Sequence, residues 1–154
     1  MSEIDVTVLG VVRRGEAFLV QRLVDPADWA FHRPIGGGVE FGETSAAALE
    51  REFREELDAA VSAGPVVGTI ENRYGWNGDP AHEIAILRAA EFVDETLYER
   101  DRFQGIDGGG AVEYEATWKS LGELTTAPEP LYPDGLARLL RGGPDAADSH
   151  IDGG

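Results

Sequence analysis

The sequence predicts a single-domain α+β fold in which helices are layered on a mixed sheet. The chain has 154 residues, the usual size of one domain. Hydrophobic residues make up 42% of it and charged residues 27%, as in ordinary globular proteins. Short segments rich in β-branched residues are spread along the chain, with one long amphipathic helical segment, residues 44–57, among them.

The amino-terminal third is predicted to contain two strands, a glycine-rich segment and the long helix. Residues 4–12 and 17–23 are typical of strands, and the turn between them predicts a hairpin. Residues 24–33 contain a proline and two aspartates and are predicted to form a loop. Four glycines within residues 36–42 follow, and apolar residues then recur every four positions in the helix 44–57.

Further strands are predicted in the second half of the chain. Residues 66–74 and 83–92 have strand composition, and the turn formers in residues 75–80 join them. Residues 93–110 are predicted to form a long irregular loop. Residues 113–121 are predicted to form the last strand.

The carboxy-terminal end divides into a helix and a tail. Residues 131–140 predict a short helix, with Pro133 tolerated in its first turn. Residues 142–154 are rich in Gly and Asp, a composition typical of a flexible tail. We therefore expect one domain over residues 1–141.

The charge and the absence of cysteine exclude several function classes. With 13 basic and 29 acidic residues, the net charge is −16, which disfavours binding to duplex nucleic acid or to anionic membranes. Without cysteine, disulfide scaffolds, thiolate metal sites and cysteine nucleophiles are excluded. Neither a signal-peptide pattern nor an apolar segment of roughly 18 residues is present, so a cytoplasmic protein is predicted.

One face of the long helix carries three carboxylates. At about 100° per residue, Glu52, Glu55 and Glu56 share a narrow sector beside an apolar stripe. Like charges at this spacing repel each other, and Mg²⁺ and Mn²⁺ prefer carboxylate oxygens, so the cluster predicts a divalent-cation site. The alternative is the solvated acidic face of an acidic protein.

The glycines before the helix favour a ligand site. Gly36 to Gly38 let main-chain groups approach a ligand closely, next to the amino-terminal end of the helix. A flexible strand-to-helix turn is the alternative for this segment on its own.

The combined spacing resembles the signature of the Nudix hydrolase family, G-x5-E-x7-R-E-U-x-E-E-x-G-U, in which U is a bulky apolar residue. The matching residues are Gly37, Glu43, Arg51, Glu52, Phe53, Glu55 and Glu56. The sequence departs from the signature at Asp58, which replaces the glycine, and at Ala59, which is smaller than usual. Asp58 is expected to adopt the left-handed conformation that the family glycine favours.

The resemblance implies a Nudix-type α/β/α sandwich with a mixed central sheet and the hydrolysis of a phosphoanhydride bond. The substrate would be a nucleoside diphosphate linked to another moiety, such as a nucleoside triphosphate or a sugar nucleotide, and the cofactor would be Mg²⁺ or Mn²⁺. The implied metal ligands are the three carboxylates of the helix face, Glu52, Glu55 and Glu56, together with the carbonyl of Gly36.

Further catalytic roles follow from the same resemblance. Arg51 would pair with Glu43 and hold the catalytic helix in place. Some members of the family use a later glutamate as the general base or as an extra metal ligand. Glu83 and Glu99 are the candidates here, with Glu83 favoured because it opens a strand; plain surface carboxylates are the alternative for both.

Substrate contacts are predicted outside the signature. Arg33 and Arg22 would hold a phosphate, and Tyr74 and Trp76 would stack on a base. Core or rim positions are the alternative for the aromatic residues. A small-molecule nucleotide is thus the expected partner, and the resemblance is compatible with a homodimer. The alternative function is a catalytically silent Nudix-fold sensor that binds a nucleotide without cleaving it.

Overall fold

The computed structural model describes residues 3–76, 78–107 and 112–142. Within them no helix has the length and apolar character needed to cross a membrane. The strands are β1 (Ile4–Val11), β2 (Arg13–Arg14), β3 (Ala17–Val24), β4 (Ala30–Arg33), β5 (Ile35–Gly38), β6 (Val61–Trp76), β7 (Asp79–Phe92), β8 (Arg102–Asp107) and β9 (Val112–Ser120). The helices are α1 (Ser45–Leu57), a 3-10 helix (Glu95–Glu99), α2 (Leu121–Thr126) and α3 (residues 136–142).

The strands form two sheets. The first has the order β5-β1-β7-β6 and is mixed, because β1 runs parallel to β7 while the other neighbours are antiparallel. The second has the order β2-β3-β9-β8, with β4 paired to β3, and all its pairs are antiparallel. The chain changes from the first sheet to the second between β1 and β2.

Two hydrophobic cores lie on opposite faces of the sheets, because successive side chains of a strand point in opposite directions. Val8 and Leu19 belong to the core that contacts α1, whereas their neighbours Leu9 and Val20 belong to the other core. The helical side chains that fill the cores are Leu49, Phe53 and Leu57 from α1 on one side, and Leu124, Leu136, Leu139 and Leu140 on the other. This three-layer arrangement confirms the predicted α/β/α fold class and its mixed sheet.

The predicted hairpin of residues 4–12 and 17–23 is wrong in its pairing. Both segments are strands, but β1 lies between β5 and β7 in the first sheet, and β3 lies in the second. Only β2 pairs back onto β3, with Arg13 opposite Phe18. The reason is that the chain leaves the first sheet at Val12, whose carbonyl accepts a hydrogen bond from the Leu19 N–H (3.0 Å).

Two segments predicted as loops contain strands. Within residues 24–33 the turn is confined to the first residues, and β4 then pairs with β3. Within residues 93–110 the chain forms the 3-10 helix and then β8, which pairs with β9. Both strands are defined by long-range partners, which local composition does not reveal.

The predicted loop 75–80 is also mostly strand. The pairing of β6 with β7 continues to Trp76 opposite Asp79, so the hairpin is longer than the predicted strands 66–74 and 83–92. Cross-strand pairs extend the ladder into residues that are turn formers in isolation.

The carboxy-terminal elements differ from the prediction at their ends. α2 was not predicted, although its capping box is local: Ser120 accepts from the Glu123 N–H, and Glu123 accepts from the Ser120 N–H. The final helix begins at residue 136 instead of 131, so Pro133 precedes it. Of the predicted flexible tail, 142–154, residues 143–154 lie outside the described residues.

Candidate active site

Helix α1 carries the acidic face and is fixed at both ends. Thr44 is the N-cap, and its hydroxyl accepts from the Ala47 N–H (3.1 Å). Asp58 is the C-cap and has the expected left-handed conformation, with φ 53° and ψ 40°. Leu49 and Phe53 are fully buried on the adjacent apolar stripe, so Glu52 and Glu55 lie beside the core that the helix covers, while Glu56 is buried at its edge.

Arg51 joins the carboxylates to the glycine segment through five hydrogen bonds. Its Nε and Nη2 donate to both oxygens of Glu43 (2.8 and 2.9 Å), the ion pair that the resemblance implied. Nη1 donates to Glu52 (2.9 Å) and Glu55 (3.2 Å), and Nη2 also donates to the carbonyl of Gly38 (2.9 Å). The Arg51 hydrogen bonds lower the pKa of Glu43 to about 2, and Glu43 in turn raises the pKa of Arg51.

The glycines of β5 allow a close approach between strand and helix. A Cβ on Gly37 would lie 2.5 Å from the Glu52 carboxylate, and one on Gly36 would overlap the Val8 carbonyl oxygen, well inside the van der Waals contact distance. A Cβ on Gly38, in contrast, would meet nothing within 4 Å. Gly36 and Gly37 are therefore required by packing, and Glu52 rests directly on the main chain of the glycine segment.

Glu56 is a buried carboxyl group with one unsatisfied oxygen. It is 5% exposed, and its Oε1 accepts from the Tyr114 hydroxyl (2.7 Å), while no donor reaches Oε2 and the group lies against the Glu52 carboxylate, with which it could share a proton. Burial and the adjacent Glu52 carboxylate raise the pKa of Glu56 to about 10. An unpartnered buried carboxylate oxygen is costly, so this position favours a proton or a cation.

The donor set fits a hard divalent cation at Glu52 and Glu56. These neighbouring carboxylates supply oxygen ligands, and Glu56 Oε2 is free to bind. Among the described residues no three Asp, Glu or His side chains converge as a ready metal site. Arg51 accounts for this, since its guanidinium contacts both Glu52 and Glu55. The half-exposed Glu55 would have to turn from Arg51 to join the set.

A cavity of about 280 Å³ contains three of the four predicted substrate contacts, Arg33, Tyr74 and Trp76. The aromatic side chains that line the cavity pack around Phe31. The ring centroid of Phe31 lies 5.0 Å from that of Trp29, 5.4 Å from that of Tyr132 and 6.0 Å from that of Trp76. Burial raises the pKa of the Tyr74 hydroxyl. Flat apolar walls with a few polar groups are typical of a ligand pocket.

Glu83 lies in the wall of the same cavity but is tightly held. It is 3% exposed. Its Oε2 accepts from the Thr7 hydroxyl (3.1 Å) and from Arg33 Nη2 (3.0 Å), and its Oε1 accepts from Asn72 Nδ2 (3.3 Å). The predicted base candidate is thus the centre of a buried network that spans four strands.

Two predicted residues lie away from this cavity. Arg22 makes a bidentate ion pair with Glu129 (2.9 and 2.8 Å) in a groove of about 1000 Å³ on the other face of the second sheet. Glu99 is exposed at the end of the 3-10 helix, where the neighbouring Tyr98 and Arg100 carbonyls accept from Arg14. The structure therefore does not bring Arg22 or Glu99 to the catalytic helix.

Sequence reasoning missed Asp107. It is the last residue of β8 and lies on the same strand face as the buried Phe103 and Gly105, which is the face towards α1. It also lines the 280 Å³ cavity. Its negative charge contributes to the raised pKa of Glu56. The available signal was its place directly before three glycines, in a segment predicted to be a loop.

The comparison with protein families decides the assignment. The family model described as "NUDIX domain" matches residues 2–140. The chain belongs to the NUDIX family. With the four glutamates of the family signature and Arg51 present, it is a Nudix-type pyrophosphohydrolase.

Solved structures share the fold of this Nudix domain at low sequence identity. A MutT NUDIX hydrolase from Burkholderia pseudomallei is 22% identical, with a TM-score of 0.64 over 91% of this chain and 98% of that one. A NUDIX hydrolase from Nitrosomonas europaea is 16% identical, with a TM-score of 0.66 over 97% and 90%. An ADP-ribose pyrophosphatase from Streptococcus suis is 15% identical, with a TM-score of 0.54 over 90% of each chain. No curated protein matches the sequence.

Proposed function

We propose that this Nudix domain hydrolyses a phosphoanhydride bond in a nucleoside diphosphate linked to another moiety, with Mg²⁺ or Mn²⁺ as cofactor. The observation that carries the proposal is the buried, unpartnered Oε2 of Glu56 beside Glu52, close to the aromatic cavity. A solvated acidic face does not account for it, because Glu56 is 5% exposed.

Glu52, Glu55, Glu56 and the carbonyl of Gly36 would hold the cation. A bound Mg²⁺ or Mn²⁺ neutralises phosphate oxygens and lowers the pKa of a bound water. Arg51 limits the negative charge of the cluster, and its hydrogen bonds to Glu43 and to the Gly38 carbonyl anchor α1 to the segment before it. That anchoring keeps the carboxylates in place when the substrate arrives.

The reaction needs a carboxylate that accepts a proton from the attacking water. The water oxygen bonds to phosphorus, the bridging P–O bond breaks, and the leaving phosphate keeps the electron pair. Glu83 already accepts three hydrogen bonds, and Glu99 is distant from the cavity. Asp107 is the carboxylate outside α1 that is better placed, because it faces both the cavity and Glu56.

The cavity would receive the nucleoside. Trp76 and Tyr74 offer aromatic surface to a base, and Arg33 offers N–H donors at the polar end. We further propose a free nucleotide as the substrate and the cytoplasm as the location, in keeping with the net charge of −16. Catalysis would reside in residues 1–141, followed by the 142–154 tail, and a homodimer would be compatible with this arrangement.

The test separates and quantifies the phosphorylated products (a nucleoside monophosphate with pyrophosphate or with a sugar phosphate) from nucleoside triphosphates, sugar nucleotides, ADP-ribose and dinucleoside polyphosphates, each with Mg²⁺, Mn²⁺ or chelator. Chelator-sensitive turnover of one class is expected. Glu56→Gln should abolish this turnover, whereas Glu91→Gln, an exposed carboxylate of β7, should not change it. Tight nucleotide binding without turnover by the wild type would instead establish the sensor function.

A stability measurement separates loss of the site from loss of the fold. Without added cation, Glu56→Gln replaces a carboxyl group that lies against the Glu52 carboxylate with an amide whose N–H can donate to it, so the thermal midpoint should rise by roughly 2–4 °C for about 1 kcal/mol. A variant that is inactive because it is unfolded would show the opposite shift.

A further inference from the structure

The polar end of the 280 Å³ cavity is a neutral pair. Arg33 Nη2 donates to Glu83 Oε2 at 3.0 Å, and Glu83 is 3% exposed. The two opposite charges cancel at short range, so the cavity meets directed N–H donors and little net charge. Such a surface suits a neutral polar group better than an anion.

Glu83 has little capacity left to accept further hydrogen bonds. Besides Arg33, the Thr7 hydroxyl and the Asn72 amide donate to its two oxygens (3.1 and 3.3 Å). These donors come from β1 and β6, so Glu83 is fixed from both sides of β7. A ligand amino group therefore finds in Glu83 a carboxylate that is already engaged, and the other carboxylate of the cavity wall, Asp107, is the one proposed to accept the proton of the attacking water.

Arg33 keeps donors for a ligand. A guanidinium has five N–H groups and no acceptor. Among the described residues, the hydrogen bonds of Arg33 are those with Glu83 and with the Tyr74 hydroxyl. Since the side chain lines the cavity and is 19% exposed, its remaining donors are available there.

The walls of the cavity select a flat ring. Phe31, Trp29, Trp76 and Tyr132 form a cluster of aromatic side chains with centroid distances of 5.0–6.0 Å. Aromatic surface of this kind stacks on a planar heterocycle. A base in the cavity would stack on the ring surfaces that line it, and Arg33 lines the same cavity.

We propose that Arg33, held by Glu83, makes this enzyme select nucleotides whose base carries a carbonyl oxygen on the edge away from the sugar. Guanine, uracil and thymine carry a carbonyl there, whereas adenine and cytosine carry an amino group. The amino group of adenine or cytosine would face the N–H donors of Arg33, and both would lack an acceptor. A site built for a hydrogen bond discriminates strongly against a ligand that leaves its polar groups unpaired. Arg33 is the specificity residue, and Glu83 is its positioning residue. This inference rests on the proposed function, because it assigns the cavity to the base of the substrate.

The competing role for Arg33 is phosphate binding, and charge argues against it. A phosphate at Arg33 would lie near the Glu83 carboxyl group, whose oxygen is 3.0 Å from the guanidinium. The two roles also differ in their consequences. Loss of a phosphate contact weakens all nucleotides equally, whereas loss of a base contact weakens only the matching bases.

The experiment compares GTP, UTP, ATP and CTP by kcat/KM, and their α,β-methylene analogues by calorimetric Kd. The wild type should favour GTP and UTP by at least tenfold. In Arg33→Met/Glu83→Gln the ratio of the GTP and UTP values to the ATP and CTP values should fall towards one, whatever the absolute activity of the variant. The double variant is needed because Arg33→Met alone leaves a buried unpaired carboxylate.

Two further variants test the geometry. Arg33→Lys keeps the charge but loses the planar fork, so it should also lose base preference. Arg102→Met, an exposed arginine paired with Glu115 outside the cavity, should retain the full preference.

Two results would overturn the proposal: an equal loss for all four bases, or an unchanged preference in the double variant. A wild type that hydrolyses none of the nucleotides would contradict the proposed function, and the Kd values of the analogues would still report base selection.

Discussion

At the scale of single residues, Arg51 determines the shape of the catalytic cluster. Its guanidinium bonds Glu43 on one side and Glu52 and Glu55 on the other, and it also reaches the Gly38 carbonyl. A lysine has the charge but lacks the planar fork that makes these contacts together. Arg51 would therefore act on the proposed cation site through the glutamates that it orients.

Arg51→Lys is expected to lower kcat/KM by 10–100-fold, the usual effect of losing a group that orients metal ligands. Mn²⁺ affinity, measured by titration without substrate, should fall as well. Arg54→Lys, an exposed neighbour on the same helix, is the control and should keep both values. Equal behaviour of the two variants would contradict the role of Arg51.

A single methyl group is expected to disrupt the contact between β5 and α1. In Gly37→Ala the new Cβ would lie 2.5 Å from the Glu52 carboxylate, so that carboxylate has to move. Activity and Mn²⁺ affinity should both drop by at least tenfold, with the far-ultraviolet circular dichroism unchanged. Gly38→Ala has open space around its Cβ and should behave like the wild type; a similar loss there would remove the steric explanation.

At the scale of elements, α1 shows how a departure from the family signature is accommodated. Asp58 takes the left-handed conformation that glycine occupies in the signature, and its N–H bonds back to the Arg54 carbonyl (3.0 Å). The helix thus ends in the same way as with glycine, and no carboxylate of the site is displaced. The remaining cost is local backbone strain.

Asp58→Gly should stabilise the domain by about 1 kcal/mol, or roughly 2–4 °C in the thermal midpoint, because glycine adopts this conformation without a Cβ penalty. Turnover should be unchanged. Asp58→Ala gives the matched comparison and should lower the midpoint, since alanine tolerates the left-handed region less well than aspartate. A destabilised Asp58→Gly would show that the aspartate side chain has another role.

At the scale of the whole molecule, stability depends on how the fold treats its ionisable groups. His32 is 5% exposed, its Nδ1 has no hydrogen-bond partner, and burial lowers its pKa below the ordinary value of 6.5. It also joins the sheet to the carboxy-terminal segment, since its N–H donates to the Pro130 carbonyl (2.8 Å) and its own carbonyl accepts from the Tyr132 N–H (2.8 Å).

The pH dependence follows from the sign of that shift. The unfolded chain binds a proton at His32 more readily than the folded chain does, so folding is favoured above pH 6.5 and weakened as the pH falls below it. Urea midpoints of the wild type should therefore fall from pH 7.5 to pH 5 more steeply than those of His32→Phe. Subtracting the His32→Phe midpoints from the wild-type midpoints at each pH removes the contribution of the carboxylates, which both proteins share. Parallel curves would mean that folding does not change the pKa of His32.

The sequence by itself determined helix α1 and the face that carries its carboxylates. Glu52, Glu55 and Glu56 lie within five residues, and a helix of 3.6 residues per turn places them on one side whatever surrounds it. The cap residues of α1 are equally local, so its bounds were predicted within one residue. The α/β/α class followed from the same periodicities and from the resemblance.

Only the tertiary structure decided which distant residues meet. Arg33, Glu83 and Asn72 belong to three strands, and their contact depends on strand order and register, which local composition does not encode. Arg22 is one residue away from Leu23, which lines the cavity, yet it points to the opposite face because side chains alternate along β3. Asp107 could not be predicted as a site residue, because its strand, β8, forms by pairing with β9 in a segment whose composition predicts a loop.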